Sequence, residues 1–308
     1  MLEASLSKKA VGSSPGALLQ GVYEAQSLIN SGDFNFYQCG WCLVGKYLYI
    51  APGYVKGGSN YVAVNTFYRI DMDTLTITTL ANIPRYASKP QLIHNNGRIY
   101  FVGGLPLSPS TTSTLCYYDI AAGTWTNTTK VDFPRYSFRA EVVGGFMYLF
   151  GGAISTGGVY TTITKVNLTD FSITTVGTNP LSGKYPNSES KAVVYNGKIY
   201  FSRGMAGTAN TFMVFDPVAG TITDLANNPS SKTGEAIVLW GDKIITRGQN
   251  IELYQYNIAT NTWTTIPCQP NTSNTASDGC PFFVYGNGIM FKYLSSDDTT
   301  VRRFWKIY

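Results

Sequence analysis

Residues 97–126 read GRIYFVGGLPLSPSTTSTLCYYDIAAGTWT, and the turn residues in this stretch cut it into short extended runs. An apolar run, Ile99–Val102, stops at Gly103-Gly104. A polar loop follows, then a second run, Leu115–Tyr118, stopping at Asp119. After the Ala121-Ala122-Gly123 turn the chain resumes as Thr-Trp-Thr. Another apolar run, PQLIHN (90–95), precedes the stretch and joins it through Asn95-Asn96-Gly97. Asn-Gly supplies the positive φ angles of a tight hairpin. Runs of about four to seven residues between such turns are too short for helices. The reading is four antiparallel strands.

The same unit recurs along the chain. GKYLYIAPG (45–53), GFMYLFGG (145–152), GKIYFSRG (197–204), DKIITRG (242–248) and NGIMFKY (287–293) match GRIYFVGG (97–104). Successive starts are separated by 52, 48, 52, 45 and 45 residues. Runs such as AEVVGG (140–145), KAVVYN (191–196), EAIVLW (235–240) and PFFVYG (281–286) precede them, and TITKVNLTDFSIT (162–174) or LYQYNIATNTWT (253–264) follow. Trp125 and Trp263 hold one repeat position. One such sheet cannot bury both faces, but a ring of them can. The sequence predicts an all-β chain: a six-bladed β-propeller of four-stranded antiparallel blades. The last repeat ends at VRRFWKIY (301–308) without a fourth strand. The segment LLQGVYEAQ (18–26) is expected to supply it, so that the N-terminal strand closes the last blade. Residues 1–16 then form a leader with a Gly/Ser/Pro linker, and residues 17–308 a single propeller domain.

These motifs resemble the kelch repeat. The resemblance rests on the diglycines Gly103-Gly104 and Gly151-Gly152, on Tyr118-Asp119, on the Trp one strand later, and on Pro84-Arg85 and Pro134-Arg135. Repeats two and three fit best, and the first, fifth and sixth lack the diglycine. The period agrees with the roughly 50 residues of that family. The resemblance implies a binding role by analogy, since a fold does not fix a function.

Composition narrows the classes. Of 308 residues, 14% are aromatic, with 22 tyrosines, and only 13% are charged. The net charge of +5 is spread along the chain, with no basic block of the kind that binds nucleic acid. No apolar stretch is long enough to span a membrane, and the N-terminus lacks the pattern of a secretory signal. A virion or extracellular surface is the favoured location, with the cytoplasm as the other. The five cysteines do not form a disulfide framework, although Cys268 and Cys280 could close one loop. Cys39-Gly40-Trp41-Cys42 lies in a strand context and reads as two structural thiols. The lone His94 belongs on the short-turn face. No metal site and no cofactor are expected.

Strand direction places the long connections on one face of the ring, and binding residues collect on long loops held by a rigid scaffold. Arg203 and Arg247 replace the first glycine of the diglycine. Arg139 with Glu141, Glu189 with Lys191, and Glu235 mark the starts of first strands. Arginine suits carboxylate or hydroxyl recognition, and the loop residues Tyr136 and Tyr185 could stack on a ligand. The expected ligand-binding set is Arg203, Arg247, Arg139, Lys191, Tyr136 and Tyr185.

The leading functional expectation is a non-catalytic recognition propeller. It would be a receptor-binding or adhesin part of a phage tail or similar assembly, taking a cell-surface glycan or protein. Residues 1–16 could dock to other assembly subunits. A second expectation is an enzyme resembling the sugar mutarotases built on kelch-like propellers, the sialic-acid mutarotases among them, with Glu141, Glu189 or Glu235 as acid–base groups. A third is an intracellular kelch scaffold for protein partners.

Overall fold

The computed structural model describes residues 23–27, 36–57, 60–107, 114–132, 135–154, 158–178, 191–202, 210–229, 236–247, 253–266, 281–286, 288–292 and 303–307. The fold is an all-β propeller. Five blades are built from consecutive strands, each sheet running from the innermost to the outermost strand in chain order. Blade 1 comprises Gly40–Val44, Tyr47–Ala51, Phe67–Asp71 and Thr76–Leu80. Blade 2 comprises Gln91–Asn95, Arg98–Val102, Thr114–Asp119 and Thr124–Asp132. Blade 3 comprises Arg139–Val143, Phe146–Phe150, Thr162–Asn167 and Ile173–Thr178. Blade 4 comprises Val193–Tyr195, Lys198–Ser202, Phe212–Asp216 and Thr221–Asp224. Blade 5 comprises Ala236–Trp240, Lys243–Arg247, Leu253–Asn257 and Thr262–Ile266.

Where six alike blades were expected, five are thus self-contained. One further four-stranded sheet unites the two ends of the chain. Phe282–Tyr285, Gly288–Lys292 and Arg303–Ile307 are followed by Tyr23–Ser27, which pairs antiparallel with Arg303–Ile307 as the outer strand. The N-terminal strand therefore completes the last sheet, as its sequence suggested. A strand left without a hairpin partner in its own repeat can satisfy its backbone only by pairing at a distance.

Local chemistry repeats from blade to blade. The turns between first and second strands have positive φ at both central residues in Asn96-Gly97, Gly144-Gly145 and Asn196-Gly197, and at the leading glycine in Gly45, Gly241 and Gly286. These are the tight turns whose twist suits a hairpin. Between third and fourth strands, a side-chain oxygen caps the turn five times. Asp71 accepts from the Asp73 N–H, Asp119 from Ala121, Asn167 from Thr169, Asp216 from Val218 and Asn257 from Ala259, at 2.9–3.0 Å. Each turn then ends on a left-handed residue: Leu75, Gly123, Phe171, Gly220 or Asn261. The Asp of the Tyr-Asp motif is therefore an Asx-turn residue.

The core lies between blades. Tyr49, Phe67 and Cys42 of blade 1 pack with Leu92, Phe101, Cys116 and Tyr118 of blade 2. Comparable clusters join blades 2 and 3, 3 and 4, and 4 and 5. Phe283 of the composite sheet enters the cluster of Trp41, Leu48, Ile50 and Ile70 in blade 1. Two buried arginines fasten the links between blades. Arg85 donates to the carbonyl of Gly103 at 2.6 Å, and Arg135 donates to the carbonyl of Gly151 at 3.4 Å and to Thr164 Oγ1 at 2.8 Å. These are the arginines of the two Pro-Arg pairs, each bound to the diglycine of the following blade.

Candidate functional site

The first strands of the blades line the axis. Each packs against the next around the ring, and Trp41 meets Phe283 with ring centroids 5.9 Å apart, which brings the composite sheet back to blade 1. Together they enclose a channel of about 460 Å³. Strand pairing sets its layers. Cys42, Ile93, Glu141, Val193, Val238 and Phe283 share one register and all line the lumen. Glu141 is the single charged residue of that layer.

Two residues N-terminal in register stand Gly40, Gln91, Arg139, Lys191, Ala236 and Pro281. Lys191 reaches across the channel from blade 4 to blades 1 and 2. Its ammonium donates to the carbonyl oxygen of Trp41 at 2.7 Å and to that of Leu92 at 3.0 Å. It also lies 4.7 Å from the Trp41 ring centroid, a cation–π contact. A first strand is the inner edge of its sheet, so alternate carbonyls face the axis without a strand partner. The Lys191 ammonium satisfies two of them.

Electrostatics follows from this placement. Burial pushes the Glu141 carboxyl up to about 7, against the opposing pull of Lys191. Burial also lowers the Lys191 ammonium from the ordinary lysine range, with Glu141 opposing the shift. A carboxyl near 7 can take up or release a proton at neutral pH. His94 lines the far end of the lumen, on the short-turn side, and partial burial lowers it. Burial raises the Cys42 thiol of the CxxC to about 12 and, outside that motif, the Cys116 thiol to about 11, the opposite of the lowered pKa of an activated thiolate. Cys268 and Cys280 lie outside the described residues.

The structure places the candidate residues in different settings. Glu141 and Lys191 face one lumen. Arg139 and Arg247 do not line it: they are 1% and 2% exposed, and the Arg247 guanidinium sits 5.6 Å from the ring centroid of Phe282. An arginine in the place of the first diglycine residue is thus packed inward instead of standing at a solvated mouth. Tyr136 is half-buried and exchanges backbone hydrogen bonds with Ala153 at 3.0 and 2.9 Å. Arg203, Glu189, Glu235 and Tyr185 lie outside the described residues. Among the described residues, no group of His, Cys, Asp and Glu could hold a metal ion, and no helix is long and apolar enough to cross a membrane.

The face of the long connections carries a feature the sequence did not signal. The connection between the second and third strands of blade 1 folds into a hairpin, Tyr54–Gly57 with Asn60–Ala63. Phe36–Tyr37 pairs with its first strand to make a three-stranded sheet. Val62 is 51% exposed on it. The alternation Tyr54-Val55-Lys56 and Tyr61-Val62 around Gly57-Gly58 was the available signal. The cross-channel reach of Lys191 had no signal at all, because its acceptors are backbone atoms of distant blades.

A model of the KLHDC2/KLHL20/DRC7 Kelch-repeats domain matches residues 39–249 and again 92–293. This chain belongs to the kelch-repeat family. Similar curated proteins include Kelch repeat protein C2 of vaccinia virus, 27% identical over 193 residues, or 62% of this chain and 35% of the relative. The camelpox virus protein of the same name is 26% identical over the same length. The kelch chain thus spans about a third of the length of these relatives. Among solved structures, that of YjhT superposes with a TM-score of 0.65 at 12% identity, covering 85% of this chain and 92% of that one, which is a likeness of fold.

Proposed function

We propose that this kelch propeller is a recognition module that takes a protein partner on the face of the long connections. In this reading residues 17–308 act as one domain, and the composite sheet serves as a sixth blade that closes the ring. The observation that carries the proposal is the three-stranded sheet of Phe36–Tyr37, Tyr54–Gly57 and Asn60–Ala63. It stands on that face and presents Val62. Its hairpin is held by backbone pairing, so its shape exists before a partner arrives, which limits the ordering entropy lost on binding. Kelch propellers generally engage protein partners, and the five blades provide the rigid base such loops need.

The test is panning of a displayed random-peptide library against the full chain and against a variant whose residues 54–63 are replaced by a short Gly-Ser turn. Enriched peptide families that disappear with the trimmed variant are the expected result. Enrichment that survives trimming would move the site off this sheet. No enrichment, together with selective binding on a glycan array, would replace the protein partner by a sugar.

A further inference from the structure

The central channel holds a carboxylate that the recognition of a partner at the loop face does not use. Glu141 projects into a lumen of about 460 Å³ whose other wall residues in its layer are a neutral thiol, aliphatic side chains and the Phe283 ring. Among the described residues Glu141 forms no ion pair. The lysine that acts on it is committed elsewhere, with two of its three N–H groups on the Trp41 and Leu92 carbonyls.

The lumen already shows what it recognises. One ammonium group is held there by axis-facing carbonyls and an aromatic ring. The peptide groups of Ala140, Ala192, Ile237 and Phe282 stand at the register positions equivalent to Trp41 and Leu92. They belong to inner-edge strands as well, so the same alternation turns their carbonyls toward the axis. A carboxylate beside a ring of carbonyls is an acceptor-only surface, and its complement is a compact donor of positive charge. Metal ions are poor candidates, because no second carboxylate or imidazole joins Glu141 among the described residues. An anion would meet the carboxylate and the carbonyl oxygens.

The geometry points to a binding site in the channel for a small primary ammonium compound. Its N–H groups would be shared between the Glu141 carboxylate and the axis-facing carbonyls of blades 3 to 5. The ligand lies deeper than the loop-face sheet, so this site and a protein partner above it stand or fall separately. Lys191, Cys42 and His94 are the other titratable groups facing this lumen. Of these, Lys191 is the nearby charge that opposes a cationic guest, which confines the guest to the Glu141 side.

The experiment is NMR titration of ¹³C-methylammonium into the full chain at pH 8, following its line width. The native protein is compared with Glu141→Gln and with Val193→Phe, which fills the lumen in the same layer and leaves the carboxylate in place. Both variants are checked for native circular dichroism. Binding by the native protein, weakened at least about tenfold in each folded variant, is the expected result. No broadening with native protein, or equal broadening with Glu141→Gln, overturns the site. Tetramethylammonium, which has no N–H, should not compete; competition at equal concentration would show that aromatic walls alone hold the cation and would also overturn it.

Discussion

The indole N–H of Trp125 donates to the carbonyl oxygen of Ala81 at 2.9 Å, tying the outer strand of blade 2 to the segment that leaves blade 1. Trp263 repeats the relationship with Ala226 at 2.8 Å, between blades 5 and 4. Each indole also sits edge-on to a phenylalanine of the earlier blade, Phe67 or Phe212, with centroids 5.0 and 5.1 Å apart. The repeated Trp is therefore a fastener between neighbours, with its polar end satisfied. Trp125→Phe and Trp263→Phe keep the ring packing and remove the donor. Each should lower the unfolding free energy by about 1 kcal/mol in guanidinium titration. The double variant should lose about the sum, because the two sites share no partners. An unchanged midpoint would mean that water takes over the indole's role.

The diglycine separates two effects of glycine. Gly97 has φ +74° with open space around a notional Cβ, whereas Gly103 has φ +59° and a Cβ there would lie 2.5 Å from the Arg135 carbonyl oxygen and from the Phe138 ring. Gly97→Ala should cost about 1 kcal/mol, the backbone term alone. Gly103→Ala should cost about 3 kcal/mol or more, because overpacking is added. Thermal or chemical denaturation of the pair reads the difference directly, and equal losses would contradict the close approach.

Arg135 stacks 3.6 Å from the Tyr160 ring centroid while donating to Gly151 and Thr164. Burial lowers its pKa to about 10, yet it remains charged at neutral pH. Lysine cannot reproduce the planar fork that reaches two acceptors. Arg135→Lys is expected to destabilise the fold by about 2 kcal/mol, measured by denaturant unfolding, with loss of the Tyr160 contact visible in near-ultraviolet circular dichroism.

Glu141 predicts an unusual pH dependence. Its folded-state pKa, about 7, lies above the 4.5 of an ordinary glutamate. Between these values the folded chain holds a proton that the unfolded chain has released. Its contribution to stability is therefore full below about pH 4.5 and is lost as the pH rises through about 7. The loss is on the order of 3 kcal/mol. Glu141→Gln should flatten this part of the stability curve and leave the variant relatively more stable at pH 8 than at pH 5. A parallel curve for the variant would place the titration elsewhere.

The thiols offer a direct reading of the native core. With pKa values of about 12 and 11, Cys42 and Cys116 should resist iodoacetamide at pH 8 until denaturant is added, as followed by mass spectrometry. Rapid labelling in the native state would contradict their burial.

Much of this was legible in the residues. Turns specify themselves locally: Asn-Gly and Gly-Gly pairs carry their own positive φ, and Asp71, Asp119 and Asp216 cap their turns within three residues. The spacing of those turns determined strand lengths, blade order and the borrowing of Tyr23–Ser27 by the last sheet. The polar constellation was legible only as a set of residue types. Arg139, Glu141, Lys191 and Arg247 fall close together in the repeat, but the packed ring divides them in a way that strand alternation does not foretell, since Arg139 lies two residues from Glu141 on one strand. Glu141 and Lys191 enter the lumen, and the two arginines enter the packing between blades.

What the sequence determined by itself was every feature closed within a few residues or repeated at a fixed period: turns, strands, the kelch pattern and the all-β propeller. What only the tertiary structure decided was which side chains meet around the axis, above all that Lys191 crosses the channel to the carbonyls of Trp41 and Leu92. Its acceptors are backbone oxygens 150 and 99 positions away. Every residue type carries such an oxygen, so only closing the ring can select the pair.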